Sequence, residues 1–245
     1  MHELLLGTGF GFFAGIIGIL IGGWIGSKKR RQPYLCGAGE TEGKTKYKRY
    51  DMFAEFAAGL LLAVICFDLL PEAFLLGGVL RSLPGIFLGL LFLLLFRNHL
   101  QMIKRKKEAV SRCFWLETSL FCIPVGLALG ASCRMDGKLA AVVTLAIAVS
   151  SIPEGIRFLG EDAMPVEQKI GIAAAYSLLI AFGSFAGILL SFGSCEGIAL
   201  LFSLSSGVLL YLCAEILFRE DGASGGRIPM LFHLLGILLG LFLAV

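Results

Sequence analysis

Long runs of apolar residues constrain this chain more than any other feature. A helix crosses the hydrocarbon core of a bilayer in about 20 consecutive apolar residues. Hydrophobic residues make up 57% of the 245 residues and charged residues only 16%, well below the roughly 25% charge of soluble domains. We therefore predict an all-α integral membrane protein, a single polytopic domain over 1–245 with eight transmembrane helices. The predicted spans are 4–26, 52–75, 83–100, 114–132, 138–159, 170–192, 197–218 and 229–245.

The distribution of positive charge predicts the orientation of these spans. Of the 21 Lys and Arg residues, 18 lie on one side, most of them in segments 27–51 and 97–113. Basic loops remain in the cytoplasm, so we predict two basic cytoplasmic loops, both termini outside, and a multi-pass protein of the cell membrane. The basic cluster at 28–31 follows the first apolar run, which favours a retained helix over a cleaved signal peptide. A count of seven spans, without the last run, leaves the orientation unchanged.

The same features exclude several functional classes. The basic residues lie in segments between spans, so nothing favours nucleic-acid binding, and the lipid bilayer is the predicted surrounding. The seven cysteines form no CxxC pair and lie mostly in apolar runs, where a thiol packs as a small hydrophobe. We find no nucleotide-binding loop and no Ser-His-Asp, Cys-His or zinc-protease pattern. We predict that the protein is not an enzyme.

Glycines and prolines interrupt the apolar runs in a regular way. In the first span, glycines 7, 11 and 15 and then 18, 22 and 26 recur at every fourth position. This spacing lets a second helix approach closely, either inside the bundle or in a homodimer. Pro71, Pro124 and Pro153 each lack an N–H and free the carbonyl four residues earlier. Helices interrupted in this way tend to line cavities, because a freed carbonyl needs a partner.

Two of the proline-bearing spans share a pattern. Residues 121–126 read FCIPVG and residues 150–155 read SSIPEG. In the second segment, Ser150, Ser151 and Glu154 share one helix face, at a predicted mid-membrane depth. A carboxylate there costs about 2.5–3.5 kcal/mol on insertion scales, so Glu154 indicates function. The alternative is that Glu154 is protonated or hydrogen-bonded to a freed carbonyl and only stabilises the kink.

Together with DLLPEA at 68–73, these motifs resemble the ZIP (Zrt/Irt-like) family of divalent metal transporters. The resemblance extends to the eight spans, the outer termini, FAAG at 56–59 and SGVLLY at 206–211. It implies passage of Zn²⁺ or another divalent cation into the cytoplasm as the transported substrate, with no tightly bound cofactor. It also implies rocking of one helix bundle against another around a mid-membrane site.

The chain departs from the family pattern in the fourth span. Members that move zinc carry His, Asn and Glu where this chain has Phe121, Cys122 and Val125. We therefore expect one weaker site rather than a two-metal centre, because serine hydroxyls are poor zinc ligands and Cys122 is the only thiol at this depth. The alternatives are that Cys122 only packs and that a ZIP-fold protein has lost transport and acts as a binding or regulatory partner. The predicted metal ligands are Glu154, Ser150, Ser151 and Cys122.

Other acidic residues suggest a route for a cation. Asp68 and Glu72 lie four residues apart near the outer end of the second span, where they could attract cations or simply be hydrated at the interface. Glu117 precedes residue 121 by one turn, and Glu215 lies near the cytoplasmic end of the seventh span. We predict an acidic pathway through Asp68, Glu72, Glu154, Glu117 and Glu215. His233 stands alone in the last span, which favours a structural role.

Overall fold

The computed structural model of the protein describes the backbone of residues 2–27, 41–104, 110–159, 165–191, 195–217 and 227–244. It describes the side chains of residues 7–26, 52–98, 118–159, 165–191, 195–217 and 230–244. All regular structure in these ranges is helical. The helices are α1 (His2–Ser27), α2 (Thr41–Val64), a π-helical turn (Ile65–Leu69), α3 (Leu70–Gly77), α4 (Val79–Lys104), α5 (Val110–Met135), α6 (Gly137–Leu159), α7 (Val166–Leu190), α8 (Cys195–Leu217) and α9 (Arg227–Ala244).

Within these ranges, seven helical stretches have the length and composition needed to cross a membrane. The predicted eighth span, 229–245, corresponds to the shorter apolar stretch Met230–Ala244 of α9. The prediction of an all-helical bundle that passes through the membrane several times is therefore confirmed. The seven stretches are Gly7–Gly26, Met52–Gly77, Val79–Asn98, Thr118–Met135, Gly137–Leu159, Val166–Leu190 and Cys195–Leu217.

Helical backbone continues past the apolar runs into the segments that we predicted as loops. α2 already begins at Thr41, inside segment 27–51. α4 continues to Lys104 and α5 begins at Val110, both inside segment 97–113. A helix that leaves the lipid keeps its own backbone hydrogen bonds, while charged side chains on it reach water. The apolar runs therefore mark the membrane-spanning part of each helix and not its ends.

The prolines affect the helices in different ways. Just before Pro71 the N–H of Leu70 donates to the carbonyl of Ile65, the i to i+5 bond of a π-turn. Pro71 then occupies the first turn of α3, where a missing N–H costs little. By contrast, α5 and α6 remain continuous through Pro124 and Pro153. Of the three interruptions that the sequence predicts, only the first changes the helix type.

Packing divides the described helices into two groups. The first, named the α1 group, contains α1, α5, α6 and α7. The second, named the α2 group, contains α2, α3, α4, α8 and α9. A Cβ atom on Gly18 would overlap the Ala148 carbonyl oxygen, and one on Gly59 would overlap the His233 carbonyl oxygen. Glycines 7, 11, 15, 18 and 22 of α1 all face α5, α6 or α7. These five glycines therefore serve packing inside the bundle, the first of the two interpretations above.

Aliphatic side chains line part of the boundary between the two groups. α6 packs against α2, and α5 packs against α8. Among the described glycines, each one whose Cβ would overlap the backbone of another helix meets a helix of its own group. Helix backbones therefore approach each other closely within each group, whereas no described glycine makes such a contact across the boundary between the groups. A small apolar cavity in this boundary is lined by Leu61, Val64, Ile65, Leu69, Val125, Ala128, Val143, Ala146, Ile147 and Leu209.

Candidate functional site

The two predicted serine ligands are buried in α6. Ser150 and Ser151 both donate their hydroxyl protons to the carbonyl oxygen of Ile147, at 3.0 Å and 2.7 Å. A serine inside a helix commonly bonds a carbonyl three or four residues earlier, because no water is present to take its proton. The two hydroxyl oxygens keep lone pairs, so they remain able to accept a further hydrogen bond or to contact a cation.

Glu154 lies near the C-terminal end of α6. The middle of Gly137–Leu159 is residue 148, so Glu154 is about 9 Å further along the helix axis. Its side chain is 26% exposed, and its Oε2 atom lies 4.0 Å from Nη1 of Arg157. Ser150 and Ser151 therefore lie nearer the middle of α6 than Glu154 does, and the mid-membrane depth of the three residues stays a prediction.

Tyr176 of α7 belongs to this site, although the sequence analysis missed it. Its ring is buried, with only 1% of the residue exposed. Its hydroxyl oxygen lies 3.3 Å from Oγ of Ser151. The signal for this residue is a phenol inside a long apolar run, because a buried tyrosine hydroxyl usually finds a hydrogen-bond partner. The pattern of the apolar runs alone does not reveal which residue that partner is.

Cys122 of α5 completes the arrangement. The residue is fully buried, and its thiol lies near the Tyr176 hydroxyl. The Glu154 carboxylate is close enough to interact electrostatically with both groups. The structure thus brings together four polar side chains from three helices of the α1 group. We name Cys122, Ser151, Glu154 and Tyr176 the polar cluster.

The wall next to the polar cluster is apolar. Val125 is 2% exposed and lines the cavity between the two groups, opposite Leu61 and Leu209. Phe121 is partly buried and packs against the core. In the described part of the chain, no three His, Cys, Asp or Glu side chains lie close enough to hold a metal ion together. A cation at the polar cluster would therefore combine the carboxylate and the thiol with hydroxyl oxygens.

Asp68 and Glu72 lie apart from the polar cluster. Asp68 belongs to the π-helical turn and Glu72 to α3. The charged side chains that act on Asp68 are Lys138, at the start of α6, and Glu72. The Oδ2 atom of Asp68 is buried and has no hydrogen-bond partner. This acidic pair therefore lies at the end of α2 remote from Thr41, as the span order predicts, and faces the first turn of α6.

The remaining two predicted pathway residues are Glu215 and Glu117. Glu215 of α8 forms an ion pair with Arg97 of α4, and the two side chains are 34% and 31% exposed. The side chain of Glu117 lies outside the described residues, although its backbone is part of α5. The ion pair gives Glu215 a role in joining two helices of the α2 group, and its place on a cation route stays a prediction.

His233 of α9 faces the beginning of the second membrane span. Its Nδ1 atom lies 3.1 Å from the backbone carbonyl oxygen and 3.4 Å from Oε2 of Glu55. The Glu55 and His233 side chains are only 19% and 10% exposed. This contact joins α2 and α9 and is consistent with a structural role for His233. The sequence gave no indication that Glu55 is its partner.

A scan against protein-family models and a search among curated proteins each found no match to this sequence. The function of the polar cluster must therefore follow from its own chemistry. That chemistry is one partly exposed carboxylate beside a buried thiol, phenol and hydroxyl in a helical membrane bundle. Such a set can bind a cation or carry a hydrogen-bond network.

Proposed function

We propose that the protein moves a divalent metal cation such as Zn²⁺ into the cytoplasm through the polar cluster, and that it is a divergent ZIP-like transporter. The observation that carries the proposal is the convergence of Cys122, Ser151, Tyr176 and Glu154 from three membrane helices. Thiolate and carboxylate are two of the ligand types that Zn²⁺ takes in proteins. Polar groups kept inside a membrane are costly and commonly mark substrate routes. The cation is substrate, and we propose no resident cofactor.

The proposed arrangement has eight spans in the cell membrane with both termini outside. α9 has 18 residues, which gives it a length of about 27 Å against a hydrocarbon core of about 30 Å. It packs along α2, where a Cβ on Gly236 would overlap the Phe56 carbonyl oxygen. In this arrangement the basic segments 27–51 and 97–113 lie in the cytoplasm, and α6 runs from the outer side of the membrane towards the cytoplasmic side. Glu154 then lies in the cytoplasmic half and Asp68 in the outer half.

The division into two groups supports a mechanism in which one group moves against the other. Glycine contacts such as Gly18 with Ala148 hold each group together, and aliphatic side chains separate the groups. All four residues of the polar cluster belong to the α1 group, so a bound cation travels with that group. Asp68 and Glu72 belong to the α2 group, where they attract cations near the outer entrance. Rocking of this kind exposes one site to the two sides in turn.

A second candidate function is a membrane protein of the same fold that does not transport and acts as a binding or regulatory partner. The observation that favours it is the aliphatic boundary formed by Leu61, Val125 and Leu209. A cation that has shed its water finds no ligand among such side chains, and its desolvation is then uncompensated. In this case the polar cluster only stabilises the α1 group.

Uptake into liposomes distinguishes the two functions. Purified protein is reconstituted, and entry of Zn²⁺, Cd²⁺, Mn²⁺ and Fe²⁺ is measured for the unmodified chain, Glu154→Gln and Glu167→Gln. Glu154→Gln removes the one carboxylate of the polar cluster at constant size, and we expect it to reduce uptake at least tenfold, a loss of about 1.4 kcal/mol of stabilisation or more. Glu167 is an exposed carboxylate in the first turn of α7, so Glu167→Gln is the matched control and keeps full uptake.

Two results of these uptake measurements would contradict the proposal. If the unmodified protein takes up none of the four cations, and Val125→Glu does not create uptake, the second candidate function replaces the first. If Glu154→Gln and Glu167→Gln reduce uptake equally, the cation does not pass the polar cluster.

A further inference from the structure

Two adjacent buried serines of α8 differ from most other buried serines of the bundle. Six buried serines in the described helices donate to the carbonyl oxygen three or four residues earlier, and Ser203 of α8, which donates to Ala199, is one of them. Ser205 and Ser206 are fully buried, yet neither hydroxyl has a hydrogen-bond partner among the described residues. An unpaired buried hydroxyl destabilises a fold, although a helical serine can usually reach the backbone of its own helix. These two hydroxyls are therefore available to a ligand.

The two serines lie in the middle of their membrane span, on the face of α8 that meets the other group. The middle of Cys195–Leu217 is residue 206. Leu209, three or four residues further along, lines the apolar cavity between the groups, and residues at this spacing share one helix face. α8 also packs against α5 of the α1 group. Ser205 and Ser206 therefore belong to the boundary across which one group is proposed to move.

A carboxylate oxygen without a partner lies at a similar depth. Ala199 of α8 packs against Gly77, and Leu209 shares the cavity with Leu69. The two serines lie between these two contacts along α8, so they are level with the first turn of α3. The π-helical turn ends directly before that turn and packs against α8. It carries Asp68, whose buried Oδ2 atom also has no hydrogen-bond partner among the described residues.

We propose that Ser205 and Ser206 bind the divalent cation between the outer carboxylates and the polar cluster, with their hydroxyl oxygens replacing water molecules of its hydration shell. This inference rests on the proposed transport function. We name the two residues the serine site. Neutral oxygen atoms are accepted ligands of hard divalent cations, and the nearby carboxylate of Asp68 supplies negative charge.

The serine site and the polar cluster lie at opposite ends of the apolar cavity. In the proposed arrangement α6 and α8 both run towards the cytoplasm. Ser205 precedes Leu209 by one turn, or about 6 Å, and Ser151 follows Ile147 by the same distance. The cation thus meets oxygen ligands on the outer side of the cavity and again on its inner side.

This order gives the proposed rocking a specific task. The serine site belongs to the α2 group and the polar cluster to the α1 group, so movement of one group against the other passes the cation between them. Two weak sites in series also let a cation leave, whereas one strong site would retain it. The serine site therefore supplies the ligands that the aliphatic side chains of the boundary lack.

Uptake by alanine variants tests the serine site in reconstituted protein. Half-maximal uptake is measured with Zn²⁺, Cd²⁺, Mn²⁺ and Fe²⁺ in turn. We expect the double variant with Ser205→Ala and Ser206→Ala to need an about tenfold higher concentration of each transported cation, because two oxygen ligands are lost. Ser203→Ala is the matched control, since this buried hydroxyl of the same helix already bonds Ala199, and it should leave the concentration unchanged. No change in the double variant, or an equal change in the control, overturns the inference.

Thermal unfolding in detergent separates a binding role from a structural one. Without divalent cations the double variant should unfold at a higher temperature than the unmodified protein, because two unpaired buried hydroxyls are removed. Ser203→Ala should unfold at a lower temperature, because it loses a hydrogen bond. If the double variant also unfolded at a lower temperature, its hydroxyls would bond within the protein as the other serines do, and the inference would be wrong.

Addition of Mn²⁺, which prefers oxygen ligands, gives a measure of binding that does not need transport. It should raise the unfolding temperature of the unmodified protein and of Ser203→Ala, and raise that of the double variant less. An equal rise in all three proteins, or no rise in any, contradicts a cation at the serine site. If the unmodified protein takes up none of the four cations, the proposed transport function fails, and the Mn²⁺ shifts alone then decide the inference.

Discussion

The two groups of helices use their polar side chains in opposite ways. In the α1 group, Ser151 and Tyr176 contact each other, and Cys122 and Glu154 lie near Tyr176. The polar atoms converge on one place, and three different helices supply them. In the α2 group, described polar side chains instead pair across two helices at separate places. These pairs are Arg81 with Glu196 and Arg97 with Glu215 between α4 and α8, and Glu55 with His233 between α2 and α9.

The difference shows that a charge inside a membrane bundle does not identify a substrate route by itself. Glu215 and Glu154 are both acids in apolar runs, and each has an arginine nearby. Glu215 meets Arg97 of another helix, whereas Arg157 is three residues from Glu154 on the same helix. A pair between helices stabilises their packing, whereas a pair within one turn joins residues that the helix already holds close together. The number of helices that converge on an acid is the more useful guide.

Glycine substitutions test how far each group depends on close backbone contact, and we expect the largest effect here. A Cβ on Gly155 would overlap the Ile19 carbonyl oxygen, whereas one on Gly171 meets nothing within 4 Å. We expect Gly155→Ala to lower the free energy of unfolding by about 1–3 kcal/mol, the usual cost of overpacking. Gly171→Ala should raise it by about 0.5–1 kcal/mol, because alanine favours a helix. Denaturant titration in detergent measures both, and equal effects would contradict the close packing of α1 on α6.

The contact between Glu55 and His233 should affect stability and not uptake. We expect His233→Leu to lower the free energy of unfolding by about 0.5–1.5 kcal/mol, since the hydrogen bond from Nδ1 to Glu55 is lost. Uptake per folded molecule should not change. Glu154→Gln should show the reverse, with little change in stability and a large loss of uptake. Loss of uptake in His233→Leu would show that α9 also contacts the cation.

Removing the two arginine ion pairs should change the free energy of unfolding least, and the more buried pair should show the larger coupling. Double-mutant cycles with Arg97→Gln and Glu215→Gln should give a coupling of up to about 1 kcal/mol, because these side chains are about two-thirds buried. The pair of Arg81 and Glu196 is 68% and 64% exposed, so its coupling should be only about 0.2–0.5 kcal/mol. Unfolding titrations of the single and double variants measure both couplings. If Glu215→Gln also abolished uptake, that result would support the acidic pathway predicted from the sequence.

The sequence predicts the helices well because lipid imposes one requirement on all of them. In lipid, the backbone N–H and C=O groups have no water to bind, so they must hydrogen-bond to one another, and each long apolar run becomes a helix. Val166–Leu190 is an example. The ends of the helices are less predictable, because α2 continues into a polar segment as far back as Thr41. Prolines mislead for a related reason: α6 continues through Pro153, since neighbouring packing holds a helix that has lost one hydrogen bond.

The polar cluster could be predicted only in part. Ser151 and Glu154 are found because three or four residues separate neighbours on one helix face. Tyr176 is missed because it lies 25 residues from Ser151, and no local spacing connects them. The same limit applies to Arg97 and Glu215, which are 118 residues apart. Contacts between helices depend on how the helices pack, and the apolar pattern of each run does not determine that.

The π-helical turn at Ile65–Leu69 makes the C-terminal part of the second membrane span depend on chain length. Such a turn accommodates one residue more than an α-helix would over the same distance. Straightening the turn into a regular α-helix with all its residues kept would rotate everything beyond it by about 100°. Ala73, which is fully buried and accepts a 2.9 Å hydrogen bond from Ser82, would then turn away from α4. Deleting one residue from the turn removes the extra residue and keeps α3 in place, so we expect a deletion to be tolerated better here than in the α-helical part of the span.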